Sequence, residues 1–212
     1  AAAGVDLDRQ VAVAERNRDV DGEPGDRPVR GHRAAQQPHQ LGDQGEADAA
    51  VLGLRPGRAG RGDPQHRGAA LAAEPDGVVI AGGPGDPHDV PETADTVRAL
   101  RGRVPIFGIG LGCDVAAIAC GAETYRLECD HRGGNHPVRR LPDGGIITPY
   151  QNHGYAVRED SLDGTGLFVT YKDLLDGVIE GIACPQDKLV GVQFEPAADS
   201  PVLDEFHELM GR

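Results

Sequence analysis

Downstream of Pro75 the apolar residues fall into short blocks with two different rhythms. "GVVIAGG" (77–83) and "VPIFGIG" (104–110) are continuous apolar runs that end in glycine. Such runs predict strands buried on both faces. "PETADTVRALRG" (91–102) instead places Thr93, Val97 and Leu100 at helical spacing, with Gly102 as a stop. "LGCDVAAIACG" (111–121) predicts a second helix, with Val115 and Ile118 turned inward and Gly121 ending it. A more polar section follows. Further strands are predicted over "GIITP" (145–149), "GLFVTY" (166–171), "GVIEGIA" (177–183) and "KLVGVQF" (188–194). "SPVLDEFHELM" (200–210) closes the chain with a helix carrying Val202, Leu203, Phe206 and Met210 on one face. Strand, helix, strand, helix and then several strands predict an α/β sheet with an antiparallel extension.

Upstream of Pro75 the rhythm is lost. Residues 1–75 contain no Phe, Tyr, Ile, Met, Cys, Lys, Ser or Thr. Few large side chains are left to bury against the entropy of ordering the chain. "VDLDRQVAVAER" predicts a short helix, "ADAAVLGL" a weak helix or a strand, and "RPGRAGRGDPQHRG" a loop or disorder. Two accounts stand open for this segment: a natural Ala/Arg/Gly-rich extension, or translation in a shifted frame of a GC-rich gene. The chain is therefore divided into a low-complexity segment, 1–75, and a folded domain, 76–212.

Charge narrows the partners. A formal charge of −13 repels phosphates and argues against nucleic acid. No apolar run approaches the roughly 20 residues of a membrane span, and the N-terminus has no signal-peptide pattern. It also lacks an initiator Met, so a fragment or a processed chain is expected. Cys113, Cys120, Cys129 and Cys184 show no C-x-x-C spacing, which predicts reduced thiols in a cytoplasmic protein.

The stretch "FGIGLGCDVAA" (107–117) has the layout of a nucleophile elbow, a strand running through a tight turn into a helix. It stands in order with "PDGVVIAGGPGDP", "HRGGNHPV", "ITPYQNHGYAV" and "VGVQFEPAA". Together these five stretches, from Glu74 to Met210, resemble the class I glutamine amidotransferase domain of the carbamoyl-phosphate synthetase small subunit. The resemblance implies an open sheet flanked by helices, with an antiparallel extension. It also implies glutamine hydrolysis by a Cys-His-Glu triad, ammonia delivery to a large synthetase subunit, and no cofactor.

Against that family's G-I-C-L-G-H-Q and Q-F-H-P-E motifs, Gly110 stands for the nucleophile, Glu195 for the base and Ala197 for the orienting carboxylate. A thiol needs a neighbouring imidazole to activate it, and glycine has no side chain. Cys113 lies one turn into the helix, several ångströms from the elbow tip, too far for a reaction sensitive to about 1 Å. The resemblance implies a backbone oxyanion hole at Gly83 and Leu111, and a substrate loop at Gly83 and Gly85. It implies glutamine contacts at Gln151, Asn152, Gly154 and Tyr155. Asp114 replaces the family's Gln. His136 and His153 are expected in structural motifs. A metal site from His131 and His136 would need further ligands, and no pattern of that kind is evident, so none is expected. The expectation is a triad-less domain that acts at most as a scaffold for the large subunit; the alternative is a glutamine-binding sensor without turnover. The remaining readings are a product of a decayed or misread gene, and an amidase that uses Cys113. The family's N-terminal domain is not recognisable, and neither are the first strands of the amidotransferase sheet. Their loss would expose a sheet edge.

Overall fold

The computed structural model describes residues 51–55, 58–62 and 75–211. All belong to one compact unit, Gly45–Arg212. The helix expected at 5–16 lies outside the described residues.

The apolar runs form the centre of a nine-stranded sheet. β3 (Gly77–Ile80) and β4 (Ile106–Ile109) pair in parallel, and β4 pairs in parallel with β11 (Leu189–Val192). Each is four residues long and its apolar side chains are buried, as strands covered on both faces must be. From β11 the sheet continues antiparallel through β10 (Ile179–Cys184), β9 (Phe168–Asp173), β6 (Val138–Arg140) and the two-residue β7 (Ile146–Ile147). This is the predicted antiparallel extension. The open α/β sheet expected from the sequence is the fold observed.

On the other side of β3 lie β1 (Val51–Arg55) and β2 (Arg58–Gly62), both antiparallel. "ADAAVLGL" thus resolves to a strand over its last four residues. The loop expected over 55–68 is corrected: Arg58–Gly62 pairs residue by residue with β1. The edge of β3 is covered as a result.

Among the described residues, three helices flank the sheet. α1 (Pro91–Leu100) begins on Pro91, whose fixed φ suits a first turn, and buries Thr93, Val97 and Leu100 as predicted. α2 (Leu111–Cys120) ends at Gly121, which takes the left-handed conformation at φ 97°. Val78, Ile80 and Ile106 pack with α1 and α2 in one core. Phe107 points the other way, and its ring lies 5.4 Å from Phe206 of α3 (Pro201–Leu209). Alternation along β4 thus places α3 opposite α1 and α2.

Besides β2 and β6, two more strands were not foreseen. β5 (Thr124–Gly133) and β8 (Gln151–Val157) form a separate antiparallel pair. "HRGGNHPV", read as a polar loop, is split between the end of β5 and the start of β6.

Candidate functional site

The elbow is present. β4 runs into Gly110, at φ 55°, ψ −122°, and α2 starts at the next residue. A Cβ at Gly110 would meet Gly82 Cα at 3.7 Å and the Gln193 carbonyl oxygen at 3.8 Å, so there is room for a side chain. Only the backbone conformation is one that L residues resist. Glycines make the tight turn possible. A Cβ on Gly112 would lie 2.1 Å from the Ile80 carbonyl oxygen, and one on Gly108 2.6 Å from the Gly112 carbonyl oxygen. The helix therefore sits directly on the strands.

Three further segments converge on this turn. The loop "GGPGDP" passes over it, with the Cβ position of Gly82 3.2 Å from the Ile109 carbonyl oxygen. The end of β11 is tied to it by Gly110 N–H donating to the Val192 carbonyl at 2.8 Å. β8 reaches it through Tyr155, which lies near enough to the Asp86 carboxylate of the glycine loop to help lower its pKa. Burial works against the Asp86 charge, but bonds from His88 and Tyr155 outweigh it and hold the carboxyl below its usual range.

The predicted residues divide accordingly. Gly83, Gly85, Gly110 and Leu111 lie in the loop and the elbow. Tyr155 is joined to them through Asp86. Glu195 and Ala197 follow β11 and are exposed; Glu195 N–H donates to the Tyr150 carbonyl at 3.0 Å. Gln151 is elsewhere: fully buried, its amide lies against His131 and His153. Asn152 and Gly154 occupy the opposite face of β8 from Tyr155. Asn152 accepts a bond from Arg132. The four β8 residues therefore do not form one side-chain contact set.

Cys113 is fully buried and faces Gly191, where an added Cβ would lie 2.9 Å from its sulfur. Burial, with Asp114 and Glu180 nearby, pushes its thiol well above the ordinary range. A thiol that stays protonated is a poor nucleophile. Cys120 is likewise pushed up to about 12 by burial.

Asp114 is 1% exposed and accepts from Gln193 Nε2 at 2.6 Å. Burial raises its carboxyl to about 7, against the opposing pull of His153 and of the Gln193 bond. The Gln193 Oε1 finds no partner among the described residues. The sequence marked Asp114 only as a substitution, with no sign of this pair.

Behind β8 lies a polar cluster that the sequence did not assemble. His131 and His153 are cross-strand partners in β5 and β8. Glu180, fully buried in β10, lies 3.0 Å from His131 Nδ1 and 3.4 Å from His153 Nε2. Asp176 holds His131 Nε2 at 2.8 Å, and Asp173 holds His136 Nδ1 at 3.2 Å. Burial lowers the His131 pKa, but bonds to Glu180 and Asp176 outweigh it and raise it to about 9. Side chains able to serve as further ligands, which the sequence did not reveal, thus gather around His131. The one available signal was a single acid, Glu180, inside the apolar run "GVIEGIA".

A strand-turn-helix elbow, a glycine loop over it and parallel strands beneath define an α/β scaffold of the nucleophile-elbow type. The chain belongs to the class-I glutamine amidotransferase family, whose model matches residues 63–205. Within it, the chain is homologous to carbamoyl phosphate synthase small chains. It is 46% identical to that of Listeria monocytogenes serotype 4b over 146 residues, which is 66% of this chain and 40% of the relative. It is 47% identical to the pyrimidine-specific small chain of Halalkalibacterium halodurans over 155 residues, 69% and 43% of the two. The chain thus spans about two fifths of these relatives. A solved Thermoplasma acidophilum structure, described as that of a GMP synthase component, shares the fold: TM-score 0.56 at 18% identity, over 68% of this chain and 76% of that one. Among the described residues no helix is long and apolar enough to cross a membrane.

Proposed function

We propose that this chain is a carbamoyl phosphate synthase small-chain amidotransferase domain that has kept its architecture and lost its triad. It does not hydrolyse glutamine by the Cys-His-Glu route. Its remaining role is to act as a scaffold for the synthase large subunit. The observation that carries this reading is Gly110. It holds the elbow turn and offers no nucleophilic atom. The thiol three residues on is buried against Gly191. Glu195 and Ala197 stand where the resemblance places the base and its orienting carboxylate, and a carboxylate is a weaker base than an imidazole and a poor activator of a thiol.

A second reading rests on a separate observation. The glycine loop, the elbow and Tyr155 remain joined through Asp86. Backbone donors at Gly83 and Leu111 do not depend on side-chain identity. On this reading the domain binds glutamine without turnover, through Gly83, Gly85, Leu111 and Tyr155, with Gln151, Asn152 and Gly154 supporting the segment.

Calorimetry with glutamine, together with co-purification against a carbamoyl phosphate synthase large subunit, separates the two. The scaffold reading expects no heat from glutamine but capture of the large subunit. Heat that is lost in Tyr155→Ala, without capture of the large subunit, favours the sensor.

A further inference from the structure

Four donor atoms converge behind β8. His131 Nδ1 and Glu180 Oε1 are 3.0 Å apart, and His153 Nε2 and Glu180 Oε1 are 3.4 Å apart. The Gln151 Oε1 lies 2.7 Å from His153 Nε2 and 3.2 Å from His131 Nδ1. Exposure of these four residues runs from 0% to 7%. Donors bound at about 2.1 Å around a tetrahedral centre sit about 3.4 Å apart. The set therefore needs only small movements to close on one ion.

The outer nitrogens fix which lone pairs point inward. His153 Nδ1 donates to the Tyr155 carbonyl at 2.8 Å, which leaves Nε2 as the inward acceptor. His131 Nε2 donates to Asp176 at 2.8 Å, which leaves Nδ1 inward. Each ring is thus held by an outer carbonyl or carboxylate, the arrangement that orients histidine ligands in metal sites.

In this arrangement the Gln151 oxygen faces only acceptors. Turning the amide over would aim its nitrogen at both rings and at both Glu180 oxygens, 3.1 and 3.2 Å away. Two amide hydrogens cannot serve both Glu180 oxygens and a ring nitrogen as well. Glu180 is fully buried, and buried charges are paired or bound to metal. Its only ion-pair partners among the described residues are these histidines.

We infer that His131, His153, Glu180 and Gln151 form a binding site for a divalent first-row cation of the zinc type. Two imidazoles and two oxygens suit such an ion. The site joins β5, β8 and β10, so the ion would tie the two sheets together beside Tyr155. Asp176 opens a way in. Its side chain is 47% exposed and lines a 330 Å³ cleft with Tyr125, Arg158 and Val178. His136 and Asp173 form a neighbouring group with the same His131. It offers fewer donors, and His136 is less buried.

The test is titration of Co²⁺ and Zn²⁺ into the chelator-treated full chain. One equivalent of Co²⁺ is expected to give the visible bands of a tetrahedral nitrogen/oxygen site, and Zn²⁺ to displace it and raise Tm. Glu180→Gln, which keeps the shape, should abolish the bands. Asp176→Asn should weaken affinity 10- to 100-fold, as loss of an outer carboxylate does. His136→Ala should leave affinity unchanged. The inference is overturned by absence of the bands in the unaltered chain, by thiolate-type absorption, or by binding that survives Glu180→Gln. Loss of binding in His136→Ala overturns it too, since it would assign the ion to the neighbouring group.

Discussion

Gly110 separates two things that one residue usually does together. It makes the turn and it has nothing to react with. Its φ of 55° lies where glycine is free and other residues are strained, while the space around its Cβ position is open. Gly110→Cys should therefore fold but lose about 1–3 kcal/mol through backbone strain alone. Urea unfolding would read this as a lower midpoint at an unchanged slope. Asp114 gives a prediction of a different kind. Its carboxyl is raised to about 7 by burial, above the unfolded value. Between pH 4 and 7 the native state holds a proton that the unfolded chain has released, so this group removes stability as pH rises. Asp114→Asn keeps an acceptor for Gln193 and removes that dependence. Its stability advantage over the unaltered chain should grow from pH 4 to pH 7, towards about 4 kcal/mol. An advantage that stays flat across this range would show that Asp114 is ionised at low cost.

At the scale of elements, the fold rests on short strands clamped between helices. Phe206 carries α3 onto the sheet: it is fully buried, stacks on Phe107 and lies 2.8 Å from the Cβ position of Gly77. Phe206→Ala should cost about 3–5 kcal/mol, measured as a loss of Tm and of unfolding free energy. Such elements were legible in the sequence because burial on both faces demands apolar runs, as in β3, β4 and β11. β8 was not legible because its inward positions are Gln151 and His153, polar residues that only a cross-strand network can satisfy. β5 bends through an irregular register between Arg126 and His131, which breaks the alternation a strand would show. β2 is built of Arg, Ala and Gly, and only its pairing with β1 reveals it. The elbow could be read directly, since its residues are contiguous. The histidine cluster could not, since His131, His153 and Glu180 meet only once β5, β8 and β10 are assembled.

For the whole molecule, the proposed reading separates the family relationship from the chemistry. The class-I amidotransferase family model matches residues 63–205, and the chain spans about two fifths of its carbamoyl phosphate synthase relatives. The packing that makes the fold needs glycines at 108 and 112 and apolar strands beneath them, and those are in place. The reaction needs a nucleophile, a base and an orienting carboxylate, and on the proposed reading the three corresponding positions hold Gly110, Glu195 and Ala197. Fold and activity make separate demands on the sequence, and on our account this chain meets only the first. The most direct measurement is ammonia release from glutamine by the full chain, with Cys113→Ala run beside it. The account predicts that both release no more than a protein-free blank. Release above that blank by the unaltered chain would contradict it, whether or not Cys113→Ala abolishes the activity.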